Sequence, residues 1–317
     1  MDLTSVKTIK NILAARGIRP SRGLGQNFLI DKAAVRKIID SAELQPDDTV
    51  LEIGPGLGVL TQELAKTAKK VIAVEKDRNM VEIIKETLKG LSNVEIILGD
   101  ILKFDFSNSK FEARNSKQIL NSNDQNSKQN GFDDLNLENL DLFRISDFGF
   151  RISKVVGNLP FYLTAHLVRQ LLERTEDGPL YAVLVVQKEV GQRICAKPPD
   201  LNLLAVSVQF YAEPKIISYI SKNSFWPSPE VDAAIIKIAP RPQDLQRPDV
   251  CKFFKIVKAG FSHPRKQLIN NLSLGLDMEK EKIGEWLLGN GIQPNQRAET
   301  LSIDNWRNLT KSFKIKG

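Results

Sequence analysis

Between residues 49 and 100 short apolar runs alternate with stretches of helical period, and this restricts the fold more than any other feature of the chain. Thr49-Val50-Leu51-Glu52-Ile53 reads as a buried strand with a glycine-rich exit, and residues 59–68 suit a helix. Val71-Ile72-Ala73-Val74-Glu75 is a second strand; Met80, Val81, Ile84 and Leu88 then recur at helical spacing. Val94-Glu95-Ile96-Ile97-Leu98 is a third strand, closing at Gly99-Asp100. Strands that alternate with helices imply a parallel sheet. Val155-Val156 supplies a fourth strand and residues 180–186 a fifth, while the runs at 204–211 and 233–238 are expected to pair as an edge hairpin.

Two segments interrupt this order. In residues 107–130, 14 of 24 residues are Ser, Asn or Gln, too few apolar groups to offset the entropy of ordering. Residues 107–150 are therefore expected to be a surface insertion, mostly disordered, with a weak helix near 135–142. Pro240-Arg241-Pro242 and Arg247-Pro248 mark a linker. Beyond it the period is helical: Phe253, Ile256, Val257 and Phe261 share one face, Ile283, Trp286 and Leu287 another, and Ser302 can cap a last helix carrying Trp306, Leu309 and Phe313. A chain of 317 residues exceeds what one core usually serves. The expected division is an α/β domain at 1–240 and a small helical domain at 241–317.

Charge is unevenly placed. Residues 1–37 hold eight Lys/Arg against two Asp/Glu, residues 241–317 hold fourteen against eight, and the middle is mildly acidic. Basic ends on an acidic centre favour a polyanionic partner. Two cysteines, Cys195 and Cys251, are too few for a disulfide framework. The first residues lack the apolar stretch of a signal peptide, and no run approaches the roughly 18 residues that cross a bilayer. A cytoplasmic protein with no membrane partner is expected. No cluster has metal-ligand spacing.

The turn Gly54-Pro55-Gly56-Leu57-Gly58 is the first candidate site. Val59 stands where a dinucleotide fingerprint needs its third glycine, and no P-loop Lys-Ser/Thr follows. Gly-x-Gly-x-Gly after a first strand suits S-adenosylmethionine, which has no pyrophosphate to hold. Glu75 ends the second strand, where a carboxylate accepts from two ribose hydroxyls, and Asp100 ends the third, where it can accept from an adenine amine. Ligands of open α/β sheets bind beyond the carboxyl ends of the strands. The fourth strand closes on the same rim with Asn158-Leu159-Pro160-Phe161. Asn158 Oδ1 and the Leu159 or Pro160 carbonyl can accept the two protons of an exocyclic amine, and Phe161 offers a stacking face.

The order of these pieces resembles the rRNA adenine N6-dimethyltransferases. The resemblance rests on Gly25-Gln26-Asn27-Phe28-Leu29-Ile30-Asp31, the 54–58 turn with Glu52, the 158–161 tetrapeptide and Gln187-Lys188-Glu189-Val190. It extends through Phe225-Trp226-Pro227-Ser228-Pro229-Glu230-Val231, Arg265-Lys266-Gln267-Leu268 and Arg297-Ala298-Glu299. It implies a Rossmann-like class I methyltransferase sheet and a cofactor shell of Asn27, Leu29, Gly54, Gly56, Glu75, Asp100 and Asn158 around S-adenosyl-L-methionine. It also implies dimethylation of two adjacent adenosines in a hairpin loop near the 3′ end of 16S rRNA, late in 30S assembly, by a monomer with no affinity for DNA. The chain departs from the family pattern in three places: Phe161 stands where tyrosine is common, Pro264 replaces an arginine of the basic run, and the insertion is long.

On this reading Asn158, Leu159, Pro160 and Phe161 carry catalysis. Phe161 and Phe225 stack on the target base, which is splayed out or already unpaired. Arg22, Arg265 and Lys266 contact RNA, within basic groups that also include Arg16, Arg19, Lys32, Arg36 and Lys37, and Lys252, Lys255 and Lys258. The competing expectations are a 23S rRNA adenine dimethyltransferase, a non-catalytic RNA-binding assembly factor on the same fold and, more remotely, an NAD dehydrogenase.

Overall fold

The computed structural model describes residues 1–21, 23, 25–105, 143–144, 152–159, 164–173, 181–241 and 248–313. The disorder expected of 107–150, apart from Phe143-Arg144, and the helix expected at 135–142 lie outside the described residues, as do Arg22, Pro160 and Phe161.

The chain opens with α1 (Val6–Ala14), β1 (Phe28–Leu29) and α2 (Lys32–Ala42). Ser5 caps α1, and Asp31 caps α2 by accepting from the Ala33 and Ala34 N–H groups. The predicted alternation follows: β2 (Thr49–Ile53), α3 (Val59–Leu64), β3 (Lys70–Glu75), α4 (Arg78–Thr87) and β4 (Val94–Leu98). Two-residue strands β5 (Phe104–Asp105) and β6 (Phe143–Arg144) pair in parallel. Then come β7 (Lys154–Asn158), α5 (Thr164–Glu173), β8 (Tyr181–Gln187), α6 (Lys188–Ile194) and α7 (Leu203–Gln209). Strands β9 (Ala212–Ile220), β10 (Phe225–Trp226) and β11 (Ala233–Pro240) complete the α/β part. Four helices follow: α8 (Val250–Gly260), α9 (Leu268–Leu276), α10 (Lys280–Gly289) and α11 (Ile303–Ser312).

The main sheet runs β4-β3-β2-β7-β8-β11-β9. Its first five strands are parallel, and β11 lies antiparallel between β8 and β9. Both faces are covered, which is why β2 and β3 read as continuous apolar runs. Val50, Val71 and Val183 face α2 and α3 in one cluster. Their neighbours Leu51, Ile72 and Leu184 face the other way, into a cluster with α5, α7 and the C-terminal helices. The C-terminal helices thus share a core with the sheet: Phe210 meets Phe253 at 4.2 Å between ring centroids, and Arg307 Nη2 donates to the Phe210 carbonyl at 2.9 Å. Ser302 caps α11 with a reciprocal bond from Asn305.

One expectation fails. The run at 204–211 is not a strand but the helix α7; the partner of β11 is the next segment, β9. A short apolar run does not by itself distinguish a buried helix from a strand. Here Asn202 decides, because its side chain accepts the Ala205 N–H at 3.0 Å and starts a helix that buries Ala205, Val206 and Val208. Strand β9 carries Pro214, which is tolerated because β9 is the edge of the sheet.

Candidate active site

Strands β2, β3, β4 and β7 end on one rim, and one pocket opens there. Its wall runs from Asn27 and Leu29 through Gly54 and Gly56 to Glu75, Asp100 and Asn158. All seven residues expected around a cofactor are therefore on one concave surface.

The turn after β2 needs its glycines. Gly54 and Gly56 have φ of +66° and +57°, a region that costs other residues strain. A Cβ on Gly56 would also meet the Phe28 ring at 3.4 Å. Glu75 locks this turn from the neighbouring strand: its Oε2 accepts the Gly56 N–H at 3.2 Å and its Oε1 the Asp77 N–H at 2.9 Å. Burial pushes the Glu75 carboxyl above its ordinary value, against the pull of those donors. At Asp100 burial also opposes ionisation, but Lys76, 2.8 Å from Oδ2, and the Leu102 N–H outweigh it, so its pKa is lowered.

Asn158 ends β7, opposite Val185 of β8. Its Nδ2 donates to the Asn27 carbonyl at 3.1 Å, which fixes the amide and leaves Oδ1 as the end free to accept from a substrate. Next to it the Leu159 N–H donates to the Val185 carbonyl at 3.0 Å, and the Leu159 side chain is 2% exposed, so only its backbone can serve a ligand. The 25–29 segment that receives Asn158 is itself tied down: Gln26 Nε2 donates to Asp77 Oδ2 at 2.7 Å, and Gln26 Oε1 accepts the Ser21 N–H at 2.8 Å.

Phe225 is not among the residues that wall this pocket. It pairs with Leu29 in the small antiparallel sheet β1–β10, is 4% exposed and belongs to the core cluster of Leu29, Val35 and Ile220. The two-residue alternation of a strand sends Phe225 inward and Trp226 to the opposite face, where it stacks on Phe28 with centroids 6.5 Å apart.

Wall residues to which the sequence reading gave no role include Leu3, Lys76 and Glu52. Glu52 is the most unusual. It is 1% exposed, its Oε2 has no hydrogen-bond partner, and burial raises its carboxyl to about 8. In the sequence it shows as a charged residue inside a mainly apolar strand and as the first residue of a motif that carries the resemblance.

The basic residues divide. Arg16 is ion-paired with Glu86, and Lys32 with Asp2 at 2.8 Å, so these two are committed within the fold. Arg265 and Lys266 stand exposed on the turn between α8 and α9, and neither is paired with a carboxylate among the described residues. No described helix is long and apolar enough to cross a membrane.

Known proteins match this chain over nearly its whole length. The Ribosomal RNA small subunit methyltransferase A of Dehalococcoides mccartyi is 38% identical over 305 residues, 96% of this chain and 92% of that protein. Among solved structures, a dimethyladenosine transferase from Plasmodium falciparum superimposes with a TM-score of 0.65 at 22% identity, covering 89% of this chain and 95% of that one. The 23S rRNA methyltransferase ErmE gives 0.62 at 23% identity, covering 90% and 98%. At such identities the structural likeness establishes the fold, that of the class I methyltransferases. The family model described as Ribosomal RNA adenine dimethylase matches residues 19–314, and the chain therefore belongs to that family.

Proposed function

We propose that this chain transfers methyl groups from S-adenosyl-L-methionine to N6 of two adjacent adenosines in the hairpin loop near the 3′ end of 16S rRNA. The observation that carries the reading is Asn158: its Nδ2 is clamped to the Asn27 carbonyl, which leaves Oδ1 as the acceptor end of an amide on the pocket wall.

The pocket suits the cofactor chemically. Glu75 keeps lone pairs on both oxygens for a ribose diol, and Asp100 stands at the next strand end for an adenine amine. Glu52 Oε2, a buried acceptor without a partner, calls for a donor in the cavity, and the cofactor's ammonium is one. Bound S-adenosylmethionine supplies a methyl group already activated by a sulfonium.

Adenine N6 is a weak nucleophile because its lone pair is delocalised into the ring. Each of the two transfers to one N6 forms an N6–C bond, breaks the S–C bond of one cofactor molecule, whose sulfonium becomes a neutral thioether, and releases one N6 proton to solvent. Asn158 Oδ1 and the carbonyl of Leu159 or Pro160 accept the two amine protons and hold N6 in line with the methyl, an effect of orientation and fixed dipoles. Phe161 stacks on the base and contributes about 1–3 kcal/mol. Residues 241–317 form the RNA-contacting unit, with Arg265 and Lys266 on phosphate and Arg22 joining from the N-terminal segment. The small subunit is favoured over the large by the relatives of high coverage. The enzyme acts as a cytoplasmic monomer on the immature 30S particle.

The test is to incubate the protein with labelled cofactor and undermethylated 30S or 50S particles and to map the modified base. Label on two adjacent adenosines of 16S rRNA is expected. Label on 23S rRNA overturns the substrate, and RNA binding without label makes the chain a non-catalytic assembly factor.

A further inference from the structure

The turn between α8 and α9 is exposed at every residue from 262 to 267; its apolar anchors lie on either side, Phe261 against Trp306 and the buried Leu268. It is held by Asn271, in the first half of α9 and 1% exposed. Asn271 Nδ2 donates to the Gly260 carbonyl at the end of α8, at 2.7 Å, and to the His263 carbonyl within the turn, at 3.0 Å. The Lys266 N–H closes back on the same His263 carbonyl at 3.0 Å. Both hydrogens of the amide are thus spent on backbone carbonyls, one of them, Gly260, at a helix end that has no partner further along the helix.

The helices beneath do not need this amide to stay together. A Cβ on Gly275 would stand 2.6 Å from Ala259 Cβ, and one on Gly260 would stand 2.4 Å from the Trp306 ring, so α8 already packs closely on α9 and α11. Asn271 Oδ1 is buried without a partner, a cost that an apolar residue would avoid. An amide at this place is required only to hold the two carbonyls.

We propose that Asn271 is a positioning residue for the RNA substrate. By fixing the Gly260 and His263 carbonyls it sets the backbone from which Arg265 and Lys266 reach neighbouring phosphates. This rests on the reading of the chain as an RNA methyltransferase. A turn ordered before binding loses little further conformational freedom when RNA arrives. Charge fixes how steeply affinity falls with salt, whereas order fixes affinity at any given salt.

The experiment measures affinity of the full chain for undermethylated 30S particles across salt concentrations, with cofactor affinity as a control. Asn271→Ala is expected to weaken particle binding roughly three- to tenfold at every salt concentration, with unchanged slope, cofactor affinity and turnover at saturating particle. Arg265→Ala and Lys266→Ala each lower the slope. In the background lacking both basic side chains, Asn271→Ala adds no further loss, which a merely structural role would not produce. Pro264→Gly, on the exposed turn, loosens the backbone without touching buried packing and carries the test if Asn271→Ala does not fold. Its expected signature is the same and smaller. Full additivity in the Asn271 cycle, or unchanged affinity in both Asn271→Ala and Pro264→Gly, overturns the proposal. A wild-type chain that neither binds nor methylates the particle overturns the functional reading instead.

Discussion

The rim of the sheet and the basic turn between α8 and α9 solve opposite problems. At the rim the polar groups are buried and wired to backbone: Glu75 is held by two N–H groups, and Asn158 is fixed to Asn27. At the turn the functional groups are exposed and free, and only the backbone beneath them is fixed, by Asn271. The difference follows from the ligands each is read to take. A small cofactor is recognised by a few directed bonds in a site that excludes water. A phosphate backbone is recognised by charges that must remain solvated until contact.

The contrast can be broken at either end. The largest effect is expected at the rim: Glu75→Ala removes both a ribose acceptor and the latch on Gly56, and should weaken cofactor binding about a hundredfold by calorimetry. Particle affinity should not change; an equal loss of both would deny that the two regions work separately.

Glu52 sharpens the same end through pH. Its native pKa of about 8 lies above the ordinary 4.5. Between these values the unfolded chain has released the proton while the native chain keeps it, so this group's contribution falls as pH rises from about 4.5 to about 8. The slope is up to roughly 1.4 kcal/mol per pH unit. Thermal unfolding followed across pH should show Glu52→Gln gaining stability over wild type as pH rises through this window. Parallel curves would place the buried proton elsewhere.

The smallest effect is expected at the turn. Arg265→Ala should lower the salt slope of particle binding by roughly 0.7 to 0.9, with cofactor affinity unchanged. A slope that does not change would remove Arg265 from the phosphate contact.

The two regions were also unequally legible in the sequence. Strands β2 and β4 fall on the predicted residues: β2 is buried along its whole length and reads as a mainly apolar run, whereas β4, the half-buried edge of the sheet, keeps only Ile96-Ile97-Leu98 as consecutive apolar residues. Residues at strand ends, such as Glu75, Asp100 and Asn158, are brought together by the sheet itself once the alternation is read. Glu52 was hidden within such a run, since a strand pattern shows that a side chain is buried and not what it faces. The packing of Phe225 was hidden for the related reason that its face is set by pairing with Leu29 of β1, far earlier in the sequence. Helix α7 was misread because its branched residues suit either state and its cap, Asn202, lay outside the run. Asn271 left no pattern at all, because its partners are backbone carbonyls.

The central claim is that Asn158 orients the adenine amine for transfer. It is tested most directly by single-turnover methylation of undermethylated 30S particles with Asn158→Ala, at saturating cofactor and particle. The account predicts a rate lower by about a hundred- to a thousandfold, with particle binding largely retained. A normal rate in this variant would contradict it.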